Sequence, residues 1–257
     1  ADIARDLPGA RAYIADPVVV DELDDVARLT GHPAFRRKSI FHALNQKAIA
    51  RTHAQASGVA YESLNLIIAH LGGGISVGAH RKGRVIDVNN ALDGEGPFTP
   101  ERAGTLPAGS LAEYCFSEGA DLKTVRQMLT GKGGMVAYLG HNNALKLEQM
   151  AREGDNRSAL IQEAMGYQVC KEIGAMAVVL KGKVDAILIT GGIAHNPDLT
   201  AYIRERVTFI APVYIYPGED EMKALALNGH MVLKGVLVPS IYSEAVFVNG
   251  IDWETMK

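Results

Sequence analysis

Three consecutive glycines, Gly72, Gly73 and Gly74, follow His70 at the end of an apolar run and precede Ser76. A turn without side chains lets backbone N–H groups close on an anion, and glycine also permits positive φ. A second pair, Gly191 and Gly192, ends another apolar run and leads into Ile193 and Asn196. Two strand–glycine–polar turns in one chain point to a nucleotide held between two lobes. Neither is a common phosphate signature: the chain has no G-x-x-x-x-G-K-[ST], and no G-x-G-x-x-G opens a helix. A glycine run alone equally suits a tight hairpin, and the paired occurrence is what favours a ligand. Asp16 before Pro17 and His42 beside Phe41 are further residues able to act, as are Arg102 in a loop and Glu219 and Glu221 before an apolar stretch. Each has a plainer reading as well: a turn-capping aspartate, a satisfied histidine, helix N-terminal charges. Asn196 is placed to cap the helix that follows it.

The elements that must position these residues follow from periodicity. Residues 12–15 read as a short buried strand ended by Asp16-Pro17. Residues 39–53 have helical spacing. Residues 66–69 and 75–79 read as strands flanking the glycine turn, and 85–88 returns after a polar tip at 81–84. Residues 89–108 form an ordered loop, long enough to be functional. Helical patterns cover 111–116, 122–129, 143–152 and 158–180, the last being the strongest. A strand at 186–190, a helix at 198–206, a strand at 213–216 and a helix at 220–233 complete the pattern.

The chain has 257 residues, 47% of them hydrophobic and 21% charged, with a formal net charge of −3. That is ordinary globular composition, and it recruits neither nucleic acid nor an anionic membrane. No apolar run approaches the ~20 residues of a bilayer span. Two cysteines, Cys115 and Cys170, without a C-x-x-C, read as buried free thiols in a reducing cytoplasm. Ala1 opens within an amphipathic pattern (Ile3, Ala4, Leu7), so sequence is expected upstream.

Four blocks carry a family resemblance: Ala12 to Glu22, Lys38 to Lys47, His70 to Val77 and Leu188 to His195, with the loop from Asp93 to Arg102 beside them. On these the chain resembles the acetate and butyrate kinases, most closely the butyrate kinases, within the actin-like ATPase superfamily. The resemblance implies an α/β, ribonuclease H-like, two-lobed fold with mixed sheets. Residues 1–65 would be the remainder of the N-terminal lobe and 66–257 the nucleotide-binding lobe, with C-terminal helices able to return to the first. It implies the reaction of ATP with a short-chain carboxylate such as butyrate, with Mg²⁺, in a cytoplasmic homodimer. A carboxylate is already an anion at neutral pH and needs no general base.

By the same resemblance Asp16 is a catalytic residue suited to Mg²⁺ or its water shell, and His42 steadies the transferring phosphoryl group. Arg102 stands near a family arginine. Gly72, Gly73, Gly74 and Ser76 would hold phosphates, with His70 beside them either for structure or for phosphate. Gly191, Gly192, Ile193 and Asn196 would form the adenosine side, and Glu219 or Glu221 would lie near the metal. The family's N-terminal Asn-x-Gly-Ser-[ST]-Ser phosphate turn has no counterpart here, so the first lobe is expected to be incomplete. Three alternatives follow: an inactive C-terminal fragment, one chain of a split kinase completed by a separate N-terminal chain, or a sugar or acyl kinase of the same superfamily.

Overall fold

The computed structural model describes residues 2–239; the tail expected at 243–257 lies outside them. In chain order the helices are α1 (Asp2–Arg5), α2 (Asp25–Arg28), α3 (Ala43–Ala56), α4 (Ala108–Cys115), α5 (Leu122–Leu129), α6 (Met135–Leu139), α7 (Ala144–Arg152), α8 (Asn156–Val179), α9 (Pro197–Val207) and α10 (Glu221–Leu233). The strands are β1 (Asn65–Leu71), β2 (Ile75–Arg81), β3 (Arg84–Val88), β4 (Ala186–Gly191) and β5 (Val213–Pro217). They form one five-stranded mixed sheet in the order β3-β2-β1-β4-β5. β1 runs antiparallel to β2 and parallel to β4, and β4 runs parallel to β5.

Strand alternation divides the core. Ile67, Ala69 and Leu71 of β1 face one side with Ile187 and Ile189 of β4, packing on Met165, Val169 and Ile173 of α8 and Leu199 and Ile203 of α9. Leu66, Ile68, Ala186 and Leu188 face the other side against Ala50 and Ala54 of α3. Both central strands are therefore buried on both faces, which is why they read as continuous apolar runs. Each fully buried Leu or Ile contributes about 1.5–3 kcal/mol relative to exposure. The β2–β3 hairpin turns through Lys82 (φ 49) and Gly83 (φ 85), the pair of positive φ values that a two-residue turn matched to strand twist requires.

Helix starts are set by capping side chains, at Asn196 as the sequence suggests and at two aspartates besides. Asn196 caps α9 by accepting from the N–H groups of Asp198 and Leu199, both at 3.0 Å, with Pro197 following it. Asp155 caps α8 and Asp220 caps α10 in the same way.

Two expectations fail. Residues 12–15 form no strand: the segment lies in irregular chain with Tyr13 and Ile14 exposed, and it pairs with neither edge strand of the sheet, β3 or β5. Cys115 is exposed, not buried, because α4 presents no buried residue at all.

Candidate functional site

Three glycine corners meet at the carboxyl ends of the parallel strands, the edge where open α/β sheets bind ligands. The turn 72–74 leaves β1, Gly191 ends β4, and Gly218 follows β5. Gly191 and Gly218 exchange backbone hydrogen bonds at 3.1 and 2.9 Å. The register pairs His70 with Thr190, so the first two glycine turns are neighbours.

The reason for glycine at 72–74 differs from the expected one. None of the three has a left-handed φ. A Cβ on Gly72 would stand 3.2 Å from His70 Nε2, and one on Gly74 would stand 2.9 Å from Arg102 Cζ and 3.2 Å from His42 Cε1. Glycine is needed here so that two histidines and a guanidinium can lie directly on the backbone. Gly73 and Gly192 are the exposed members. A Cβ on Gly192 would meet nothing, and one on Gly73 only the edge of Glu101 at 4.0 Å, so both leave open room for a ligand.

His70 sits on the α3 side of β1 by strand alternation, and His42 is the residue before the first turn of α3. Their rings stack with centroids 4.1 Å apart and planes 24° from parallel. Burial, and the cation of Arg102, push His42 down to about 4; burial, and His42 itself, push His70 to about 3. Both rings are neutral at pH 7. His70 Nε2 lies 3.3 Å from Glu219 Oε2. A carboxylate only accepts, so the His70 proton sits on Nε2 and Nδ1 is a buried acceptor with no partner among the described residues.

Burial of neutral rings has a measurable sign. A histidine takes up its proton near pH 6.5 in the unfolded chain but only near pH 4 or 3 here. Stability from these groups is therefore complete above pH 6.5 and falls as pH is lowered toward 4. In an NMR titration the His42 and His70 ring signals are expected to hold their neutral positions down to about pH 5. A midpoint near 6.5 for either would contradict the buried stack.

Arg102 approaches from the loop after β3. Thr99 shapes that loop: its hydroxyl donates to Gly73 O at 2.7 Å and accepts from Arg102 N at 3.0 Å, locking loop to glycine turn. One guanidinium nitrogen donates to Ala91 O at 2.6 Å, while Nε is buried and, among the described residues, has no hydrogen-bond partner. A buried donor left unpaired costs about 1–3 kcal/mol, so the arrangement favours an anion placed against it. Arg102, Gly74, His42 and His70 thus form one cluster.

The other expected residues fall into place unevenly. Ser76 is fully buried and its β2 position faces α3, where its hydroxyl is taken up by His42 Nδ1 at 2.8 Å and Gln46 Nε2 at 2.8 Å. The Asn196 side chain is taken up by its cap and by Gln162 at 2.8 Å. Ile193 is buried behind Gly192 in the core. Asp16 is not in contact with the cluster; its carboxylate pairs with Arg51 at 3.2 Å and Lys47 at 3.9 Å, with φ at 39°. Glu221 accepts from Asn45 Nδ2 at 3.4 Å. Among the described residues no three His, Cys, Asp or Glu side chains gather as a metal cage. Glu219, beside His70, and Glu221, beside Asn45, are carboxylates of the donor type from which Mg²⁺ usually takes one or two. Gln46, His80 and Thr99 were not singled out from sequence, though Gln46 lies at i+4 from His42 and His80 on the same strand face as Ser76.

Comparisons with known proteins give the family and the fold. The Acetokinase family matches over residues 31–232. Butyrate kinase 2 of Clostridium acetobutylicum is 58% identical over 88% of this chain and 64% of its own length. A probable butyrate kinase of Phocaeicola vulgatus is 57% identical over 90% of this chain and 65% of its own. The chain thus spans just under two thirds of these relatives. Among solved structures, Porphyromonas gingivalis acetate kinase superposes with a TM-score of 0.80 at 21% identity, covering 90% of this chain and 66% of that one. A Francisella tularensis propionate kinase gives 0.69 at 21% identity, over 79% of this chain and 60% of that one. The fold is that of the acetate kinases, and the chain belongs to the Acetokinase family.

Proposed function

We propose that the protein transfers the γ-phosphoryl group of ATP to a short-chain carboxylate of the butyrate type, yielding an acyl phosphate and ADP. The observation that carries this is the convergence of one guanidinium and two stacked, neutral histidines on the glycine turn after β1. Phosphoryl transfer requires charge stabilisation and positioning more than proton chemistry. Arg102 supplies fixed positive charge, and His42 supplies a ring nitrogen close to it. A carboxylate nucleophile needs no base, and the cluster holds none aimed at an acceptor hydroxyl. A sugar kinase needs one, so the carboxylate is favoured as acceptor.

Gly73 and Gly192 offer backbone to the phosphates and the adenosine. Glu219 or Glu221 would hold Mg²⁺, which would neutralise phosphate charge when bound. Asp16 would enter only by giving up its pairs with Lys47 and Arg51. The butyrate kinase relatives favour butyrate over acetate as substrate. A cytoplasmic homodimer belongs to the same proposal.

The test is acyl phosphate formation from ATP, Mg²⁺ and butyrate, trapped by hydroxylamine as the hydroxamate, with acetate and isobutyrate in parallel. Butyrate-dependent hydroxamate above the acetate level is the expected result. ATP binding without any hydroxamate overturns the reading in favour of a non-catalytic fragment. Activity that appears only with a co-expressed upstream segment of a relative identifies a split enzyme.

A further inference from the structure

The even-numbered residues of β2, namely Ser76, Gly78 and His80, face α3. Gln46, one turn beyond His42 on that helix, crosses directly above Gly78, where a Cβ would lie 2.5 Å from Gln46 Oε1. Gln46 Nε2 donates to Ser76 O at 3.1 Å and to Ser76 Oγ at 2.8 Å. Gln46 Oε1 lies 2.8 Å from His80 Nε2, and His80 Nδ1 lies 2.7 Å from the Tyr61 hydroxyl. At the other end Ser76 Oγ lies 2.8 Å from His42 Nδ1. Gln46, Ser76 and His80 are each 0% exposed.

The proton positions along this chain follow from the inventory of donors and acceptors. A carbonyl oxygen only accepts, so the Gln46 atom beside Ser76 O is the NH₂. Its carbonyl then faces His80, which must carry its proton on Nε2. Burial, together with the nearby Lys47 and Arg51, pushes His80 down to about 3, so the ring is neutral and Nδ1 accepts the Tyr61 proton. Ser76 Oγ receives N–H groups from Gln46 and, at 3.5 Å, from the His42 backbone. Among the described residues the only acceptor left for its own proton is His42 Nδ1.

We propose that Tyr61, His80, Gln46 and Ser76 form a positioning relay that fixes His42 in the tautomer protonated on Nε2, so that the ring presents an N–H donor on the side away from Ser76. The use of that donor toward a phosphoryl oxygen rests on the function proposed above; the tautomer does not.

The test is long-range ¹H–¹⁵N correlation on protein labelled with ¹⁵N-histidine, with His42 assigned by its loss in His42→Gln. Wild type is expected to show Nδ1 as an unprotonated, pyridine-type nitrogen and Nε2 as protonated. In Gln46→Glu the carboxylate cannot donate, so Ser76 donates to it and offers His42 a lone pair; the two nitrogen signals should exchange. Where that variant fails to fold, Ser76→Ala is expected to bring His42 to mixed tautomers. A wild-type His42 protonated on Nδ1, or a folded Gln46→Glu protein with an unaltered pattern, overturns the relay. In the butyrate assay Gln46→Glu should lower kcat by about 10²-fold with little change in KM for ATP, the size expected for misplacing one transition-state donor. The expected spectra without any acyl phosphate would leave the relay standing and remove the kinase reading, whereas acyl phosphate with the opposite tautomer would do the reverse.

Discussion

Arg102→Ala is expected to slow acyl phosphate formation by about 10²–10³-fold, the effect of removing one preorganised donor from a site of developing charge. The guanidinium lies against Gly74, with His42 on the same glycine beside it. The fold should survive. Among the described residues the only hydrogen bond its guanidinium makes is to Ala91 O, worth about 1 kcal/mol, and Thr99 keeps its hydroxyl bond to Gly73. Arg102→Lys should recover only part of the rate, because an ammonium cannot present a planar fork to an oxyanion. Free guanidinium added to the alanine variant should restore activity by filling the space over Gly74. A rate within a fewfold of wild type in a folded Arg102→Ala protein would remove Arg102 from the proposed site. The same substitution lifts a positive charge from beside His42, so the His42 ring should titrate at a higher pH in the variant.

The sheet and most helices were readable because their signals are local. The apolar runs of β1 and β4 have no alternation, as strands buried on both faces require, and Asn196, Asp155 and Asp220 stand one residue before helices that they cap. Residues 12–15 carry the same local signal as a strand, but an apolar tetrapeptide becomes one only when it pairs with an edge, and that condition is tertiary. The glycine turn was located correctly for a different physical reason. Backbone freedom is visible in composition, whereas the crowding of His42, His70 and Arg102 onto Gly72 and Gly74 depends on a loop 28 residues further along the chain.

The same distinction explains Ser76 and Gln46. A hydroxyl two residues after a glycine run suggests a phosphate contact, yet strand parity turns position 76 toward α3, and parity is set by the pairing of His70 with Ser76 across β1 and β2. Polar groups at 76 and 80 with glycine between them on one strand face, opposite a glutamine at i+4 from His42, are a legible pattern only once that face is known to meet the helix. The resemblance singled out the residues; the sheet register decides which of them face α3 and the glycine turn.

Gly191→Ala is expected to destabilise the fold by about 2–6 kcal/mol, the sum of a backbone conformation that only glycine adopts readily and an overpacked contact. Gly191 has φ 94° and ψ 169°, and a Cβ there would overlap the backbone of Leu71, with its nitrogen 2.7 Å away. Leu71 ends β1 and cannot retreat, since its side chain is fully buried in the core between the sheet and α8. The expected reading is a thermal midpoint lowered by about 4–24 °C, at about 2–4 °C per kcal/mol for a chain near this size. Gly192→Ala is the informative partner. Its Cβ meets no atom and its φ is not left-handed, so stability should stay within about 0.5 kcal/mol of wild type. ATP binding, measured by calorimetry, should nonetheless weaken, because the added methyl occupies the open backbone proposed for adenosine. Equal stability losses at 191 and 192 would contradict the packing at this corner, and a Gly192→Ala protein that binds ATP like wild type would move the nucleotide away from the end of β4.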